Sequence, residues 1–306
     1  MGTGPLTGKV AVVAGGSRNI GRGIAVELAL AGAEVWITGR TEGESDQDLG
    51  TLRGTVAEIA SLGGAARWVR CDHRDDAEVQ RAFGQILEGS GRVDILVNNA
   101  SPDFSPMVGK PFWEVPPDAV SACLEIGPKS DFVAMCQVVP SMLRTGGGLI
   151  VNISSHGSHE YVLSVPYGAG KAAIDKITHD TALELRDHGV CVVSLWPGYV
   201  LGREAGEGME FLADDPVFME ATRRIGESPS FPGRAVVALA SDNDMMRWSG
   251  CAVTTRRLGD EYGFVDADGS KPQRDMRFQT TLSDAETPAL FRILEPFGTS
   301  QMSICD

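Results

Sequence analysis

A doubly wound α/β fold, with seven parallel strands and helices on both faces, is the architecture this sequence predicts. Three observations carry it. Short apolar, β-branched runs alternate with longer stretches of helical period. The first run opens into a glycine-rich turn and a helix start. The alternation then persists for about 250 residues, the length such a sheet and its crossovers need.

In chain order, the predicted strands are 10–14, 34–38, 66–70, 95–97, 149–153, 190–195 and 252–254. They are short, mostly apolar runs rich in β-branched residues, as strands joined by helical crossovers are. Segments of helical period lie between them at 22–31, 51–62, 77–88, 117–143, 167–187, 216–225 and 232–241. The core domain is therefore expected to span residues 1–257. Residues 258–306 carry little periodicity, and 259–277 is rich in Asp, Gly, Arg and Lys. They are expected to form an extension packed on the core or on a neighbouring subunit. Two connections, 41–50 and 101–117, are longer than linkage needs, and such loops are where function concentrates.

Composition narrows the function. The chain has 306 residues, with 27 Lys and Arg against 41 Asp and Glu, for a formal net charge of −14. That excess excludes nucleic acid or an anionic membrane as general partners, whereas an anionic ligand needs only a local positive site. Apolar residues make up 42% and charged residues 22%, which excludes a disordered or fibrous chain. No apolar stretch reaches the roughly 18 residues of a membrane span. The first residues show neither a basic start nor an apolar signal core. Leu6 stands where a myristoylated chain carries Ser or Thr. Six scattered cysteines without a CxxC pair read as reduced thiols of a cytoplasmic protein, with no metal cluster expected.

The run Val10-Ala11-Val12-Val13-Ala14 leads into Gly15-Gly16-Ser17-Arg18-Asn19-Ile20-Gly21. A strand, a glycine turn and a helix start set backbone N–H groups against a pyrophosphate, as in Rossmann-type dinucleotide sites. Gly15 is free to take φ > 0, and Gly21 lets the helix approach closely. The second strand ends at Gly39-Arg40, where a carboxylate would accept the ribose 2′-OH. Arg40 stands there instead, with Arg18 in the turn. Two guanidinium groups suit a 2′-phosphate, and each charge-assisted hydrogen bond contributes roughly 1.5–3 kcal/mol. The expected cofactor is NADP(H).

Asn152-Ile153-Ser154-Ser155 closes the fifth strand, and Tyr167 follows Ser155 by 12 residues. Tyr167 and Lys171, four apart, share a helical face. An ammonium beside a phenol favours phenolate, so Tyr167 is the candidate acid/base and Lys171 its activator. Ser155 is the candidate anchor for a substrate carbonyl, with Ser154, 13 before Tyr167, as the alternative.

These motifs resemble those of the short-chain dehydrogenase/reductase family over roughly residues 6–257. The carriers are the Gly15–Gly21 turn, Cys71-Asp72, Asn98-Asn99-Ala100, Ser155, Tyr167 with Lys171, and Pro197-Gly198. The resemblance continues past the core through Tyr262-Gly263 and Asp266-Ala267-Asp268-Gly269. It implies a carbonyl reductase or alcohol dehydrogenase using NADP(H) on a ketone or secondary alcohol, with hydrophobic steroid-like or xenobiotic substrates. It places Gly15, Ser17, Arg18, Asn19, Ile20 and Gly21 around the pyrophosphate and Arg40 at the adenosine phosphate. Asp72 comes to the adenine, Asn99 and Ala100 to the ribose, and Pro197, Gly198 and Val200 to the nicotinamide. Tyr167 and Lys171 serve both catalysis and cofactor binding. It implies a homodimer or homotetramer paired through the helices at 117–143 and 167–187. A membrane-associated tail of some members has no counterpart here. Alternative readings are a 3-oxoacyl-thioester reductase and a non-catalytic dinucleotide-responsive binding protein.

The chain departs from the family pattern at three places. Asn19 replaces the middle glycine of the turn, and Asn tolerates φ > 0 better than most residues. Ser101 replaces a glycine after Ala100. Gly127, followed by Pro128, replaces the helix Asn of the family's proton relay, and Pro128 is expected to kink its helix. A freed carbonyl or a water at that kink is the expected substitute. His156 and His159, three apart with Glu160 beside them, come without a further evident metal ligand, and one of the two histidines is expected to edge the substrate pocket. Tyr161, Met107, Phe104, Trp113, Met209, Phe211, Leu212 and Phe218 are candidates for a hydrophobic cover. Cys71 reads as a small buried filler.

Overall fold

Seven strands form the central sheet: β1 (Val10–Ala14), β2 (Glu34–Gly39), β3 (Ala65–Arg70), β4 (Ile95–Asn98), β5 (Gly148–Ile153), β6 (Val190–Trp196) and β9 (Ala252–Thr254). The computed structural model describes residues 4–48, 50–201 and 226–272. The strand order is β3-β2-β1-β4-β5-β6-β9, and every neighbouring pair is parallel. The expected seven-stranded doubly wound sheet is present, its strands within a residue of the predicted bounds. A second, two-stranded sheet pairs β7 (Tyr199–Val200) with β8 (Gly226–Glu227), which the sequence pattern does not reveal.

Parallel neighbours need crossovers, and helices supply them. They are α1 (Asn19–Leu30), α2 (Leu52–Ser61), α3 (Asp76–Ser90), α4 (Pro117–Leu124), α5 (Ser130–Thr145), α6 (Val165–Leu185), α7 (Ser230–Ser241) and α8 (Thr255–Tyr262). The two-residue period of a strand divides the core into two layers. Ala11, Val13, Val35 and Ile37 face Ile24 and Leu28 of α1 and Leu239 of α7. Val10, Val12, Trp36 and Leu96 face Phe83 and Ile86 of α3 and Val138 and Met142 of α5. Helices cover both faces of the sheet at its centre, and β1 is buried along its whole length.

Several helix starts are capped by short polar side chains. Thr51 accepts from the Gly54 N–H, Asp75 from Ala77 and Glu78, and Thr254 from Arg257. The predicted helix 117–143 is two helices. Between α4 and α5, Ile126 (ψ 111°) and Gly127 (φ +113°) leave helical geometry, and Pro128 follows. Pro128 has no N–H to give, and Gly127 accepts a φ that a side chain resists. The predicted helix 216–225, Met209, Phe211, Leu212, Phe218 and Cys305 lie outside the described residues. Helix α8 runs across residue 257, and Leu258 is wholly buried in the core.

The strand order reverses between β1 and β4. In a doubly wound sheet helices leave to opposite faces at such a reversal, the topology that forms a ligand crevice at the carboxyl ends of the strands. The turn after β1, the loop after β4 and the ends of β5 and β6 all reach this edge.

Candidate active site

Gly15 leaves β1 with φ +68°. A Cβ there would come within 2.9 Å of the Ala100 backbone, and one on Gly21 would overlap the Gly15 carbonyl. Asn99, just beyond β4, donates its side-chain amide to that carbonyl at 3.0 Å. Turn and loop are thus locked together with no room for side chains. Asn19 adopts φ +40°, in the range expected for it. Ser17 is buried, and Ile20 packs on the core in the first turn of α1. A glycine cradle at a helix N-terminus fits a pyrophosphate, so the residues present suit a dinucleotide.

Arg18 and Arg40 are exposed at the adjoining rim. Arg18 donates to the Thr41 hydroxyl at 3.2 Å. Arg40 acts electrostatically on both Asp103 and His73. Asp72 follows β3, where its carboxylate accepts the Arg74 N–H at 3.0 Å. Beside it, His73 shares a 2.9 Å hydrogen bond with Thr38, and burial pushes its pKa down to about 4. Cys71 is fully buried, and burial pushes its thiol up to about 12, consistent with a filler rather than a nucleophile.

Tyr167 lies in the first turn of α6. Ser164 caps that helix, accepting the N–H of Tyr167 itself at 3.3 Å, and Pro166 presets the turn. Leu163, just before the cap, is held at φ +65°, a strained position for a branched side chain. The phenol and Ser155 share a side-chain hydrogen bond. Ser155 Oγ also accepts the Gly157 N–H at 2.9 Å. A Cβ on Gly157 would fall 2.6 Å from Tyr167 Cε1, so the ring lies flush on this turn. Phe104 packs edge-on to the same ring, centroids 5.1 Å apart. Ser154 turns away and donates to the Lys171 carbonyl at 3.2 Å. Of the two candidate serines, Ser155 is the one beside the phenol.

Lys171 lies one turn on, its ammonium 5.8 Å from the Tyr167 ring centroid and donating to the Ile153 carbonyl at 3.0 Å. The expectation that the ammonium lowers the phenol's pKa is corrected here. Burial dominates and pushes Tyr167 up, and only the Ser155 hydrogen bond pulls it back. Burial also pushes Lys171 down, against the opposing pull of Asp131 and Asp175.

The Gly127 kink borders this group. A cavity of about 20 Å3 lies between Gly127, Pro128, Ile126 and Phe104 on one side and Tyr167, Gly170 and Lys171 on the other. That is room for roughly one water. Asp131, one turn past the kink, is 3% exposed, and burial pushes its carboxyl up to about 8. Asn98, from the family-like Asn-Asn-Ala run, faces inward to Asn152 at 2.9 Å, and Asn152 donates to Thr178 at 2.8 Å. This buried ladder fixes β4, β5 and α6 behind the site. Gly198 donates its N–H to Glu227 at 3.0 Å, Pro197 is buried, and Val200 lies in β7.

Sequence reading missed Asp131 and Glu227. Each is a single acidic residue whose burial depends on distant chain, and no local spacing marks it. Of the proposed cover, Met107 is fully buried, Phe104 meets Tyr167 and Trp113 is exposed. Burial pushes the His156 pKa down to about 4. Among the described residues no three His, Cys, Asp or Glu side chains gather as a metal site, and no helix is long and apolar enough to cross a membrane.

Comparison with known proteins accords with this geometry. The family model for short chain dehydrogenase matches residues 9–207. Dehydrogenase/reductase SDR family member 1 of Mus musculus is 42% identical over 279 residues, spanning 89% of this chain and 87% of that protein. The structure of actinorhodin polyketide ketoreductase with NADPH superposes with a TM-score of 0.70 at 30% identity, covering 83% of this chain and 97% of the other. That of 7α-hydroxysteroid dehydrogenase with NADH and 7-oxo glycochenodeoxycholic acid gives 0.68 at 25% identity, covering 87% and 96%. With its matched model, its parallel sheet and its Ser155, Tyr167 and Lys171 at one crevice, the chain belongs to the short-chain dehydrogenase family of oxidoreductases.

Proposed function

We propose that this chain is an NADPH-dependent carbonyl reductase, interconverting a ketone and a secondary alcohol, with a hydrophobic steroid-like or xenobiotic substrate. The observation that carries the reading is the convergence of Tyr167, Ser155 and Lys171 beside the Gly15–Asn99 crevice. When bound, a reduced nicotinamide dinucleotide supplies the hydride that reaches the carbonyl carbon. Ser155 donates to the carbonyl oxygen and orients it. Tyr167 passes its proton to that oxygen, a contribution of about 10²–10⁴ in rate. Burial keeps the phenol protonated, which suits an acid in the reducing direction. Lys171 holds the ribose next to the nicotinamide and the end of β5.

Arg18 and Arg40 at the adenosine rim, without a carboxylate at the end of β2, support NADP(H). Gly15, Ser17, Asn19, Ile20 and Gly21 take the pyrophosphate, Asp72 the adenine, Asn99 and Ala100 the ribose, and Pro197, Gly198 and Val200 the nicotinamide. Leu124, Phe132, Leu143 and Leu183 are exposed on α4, α5 and α6, which supports association of copies as a homodimer or homotetramer. Five described cysteines are free thiols, in keeping with the cytoplasm. Residues 1–257 serve as the catalytic domain and the rest as an extension of it.

A second reading, reduction of a 3-oxoacyl thioester, draws on the similarity to the polyketide ketoreductase. The net charge of −14 disfavours an acidic carrier protein as partner. A panel of ketones, aldehydes and 3-oxoacyl thioesters with NADPH and NADH in parallel tests the proposal. Fastest turnover of bulky ketones with NADPH is expected. Preference for thioesters supports the second reading, and tight dinucleotide binding without any turnover contradicts both.

A further inference from the structure

Glu227 is 2% exposed and sits in β8, where its backbone pairs with Val200. Its carboxyl reaches two places at once. One oxygen accepts the Gly198 N–H at 3.0 Å, and the other shares a 2.8 Å hydrogen bond with the Thr255 hydroxyl. Its carbonyl accepts the Leu201 N–H at 2.8 Å. The loop lies directly on the carboxyl, since a Cβ on Gly198 would come within 3.1 Å of it. The next residue, Ser228, gives its N–H at 2.7 Å and its hydroxyl to the Asp266 carboxylate. Arg234 binds the main-chain carbonyls of Val265 and Asp266 at 2.6 and 2.9 Å, and its guanidinium lies 3.5 Å from Glu27. One buried side chain therefore joins the Gly198 loop to the start of α8, beside a carboxylate from the segment that follows.

A carboxyl buried in this way is costly unless its hydrogen bonds are used. Here they go to the loop on one side and the core on the other. We propose that Glu227 is a positioning residue that holds the backbone of residues 198–201 where the nicotinamide half of the cofactor docks. This rests on the reading above that Pro197, Gly198 and Val200 border the nicotinamide. Burial, with Asp266 facing it, pushes Glu227 up to about 8, while its bonds to Thr255 and Gly198 pull it down. Those two bonds favour the ionised carboxylate and burial favours the neutral carboxyl, and an acceptor for the Gly198 N–H is present in either form.

The test titrates NADPH and adenosine 2′,5′-bisphosphate, which lacks the nicotinamide half, into wild type, Glu227→Ala and Glu227→Gln by calorimetry. NADH and ADP replace them if the wild type prefers NADH. Glu227→Ala is expected to raise the NADPH Kd about tenfold, the scale of one lost buried hydrogen bond, and to leave the bisphosphate Kd within about twofold. Glu227→Gln keeps an acceptor for Gly198 and a donor for Thr255. It should hold the NADPH Kd at pH 7 within about twofold of wild type. Equal loss of both ligands, no loss of NADPH, or a Gln variant as weak as the Ala variant overturns the proposal. If Glu227→Ala does not fold, Glu227→Leu, which fills the space without an acceptor for the Gly198 N–H, takes its place, and unchanged NADPH affinity in that variant overturns the proposal. A wild type that binds no dinucleotide removes the underlying reading and this proposal with it. A wild type that binds NADPH beside an unaffected Glu227→Ala removes this proposal alone.

Discussion

The Lys171 ammonium donates to the carbonyl oxygen of Ile153 at 3.0 Å, from one helical turn beyond Tyr167. The hydrogen bond fastens α6 to the end of β5, and so ties the strand that presents Ser155 to the helix that presents Tyr167. Lys171→Met keeps the stem and removes the donor. The Ile153 carbonyl is then left without it, at a cost of about 1–3 kcal/mol, and turnover should fall about a hundredfold. Thermal unfolding and steady-state assays of one preparation check both.

Cofactor choice is proposed to be set at the rim of the crevice. Arg40→Asp replaces a cation by an anion where a 2′-phosphate is proposed to lie. The ratio of kcat/KM for NADPH over NADH should fall by at least about tenfold, since one charge-assisted hydrogen bond is worth roughly 1.5–3 kcal/mol. Kinetics with both cofactors measure the ratio, and an unchanged ratio removes the 2′-phosphate assignment.

Gly21 admits no side chain, because a Cβ there would overlap the Gly15 carbonyl and come within 2.5 Å of the Asn99 amide. Gly21→Ala must displace the turn. Dinucleotide affinity should drop by more than about tenfold, with a stability loss on the order of 1–3 kcal/mol for the overpacked contact. Fluorescence titration and denaturant unfolding read the two separately.

Asp131 is expected to give the protein a pH-dependent stability. Its ordinary value of 3.8 is raised by burial to about 8 in the folded chain. A raised folded value means that the unfolded chain releases the proton first. The stability contributed is complete below 3.8 and is lost as pH climbs through about 8. Asp131→Asn should flatten the fall in Tm between pH 5 and pH 8 by at least about 2–4 °C. Melting curves across that range decide it, and an unchanged slope shows that the carboxyl ionises freely in the folded protein.

The fold and the centre of the site are legible in the sequence because their signals are local. Strand periodicity marks the seven members of the sheet. The Gly15 turn, the i, i+4 pair Tyr167 and Lys171, and the Ser155 spacing each sit within one or two adjacent elements. The spacing leaves Ser154 open as an alternative to Ser155, because its hydrogen bond to the Lys171 carbonyl depends on the path of the chain past β5. Residues 117–143 read as one helix because their apolar period continues through Gly127, although Pro128 announces a kink. The Tyr167 pKa moves opposite to the expected direction because spacing reveals the proximity of a charge and does not reveal burial. Glu227 meets Gly198 across 29 residues of chain and Thr255 across 28. No pattern in the intervening sequence predicts either contact.

The most direct measurement is Tyr167→Phe, assayed for NADPH-dependent ketone reduction and for NADPH binding on the same sample. Loss of the phenolic hydroxyl removes the proton donor and leaves the ring on Gly157. Turnover should fall by about 10²–10⁴ while the dinucleotide Kd stays within about twofold, less than one hydrogen bond's worth. Turnover equal to wild type would contradict the assignment of Tyr167 as the acid, and with it the reading of this crevice as a carbonyl-reducing site.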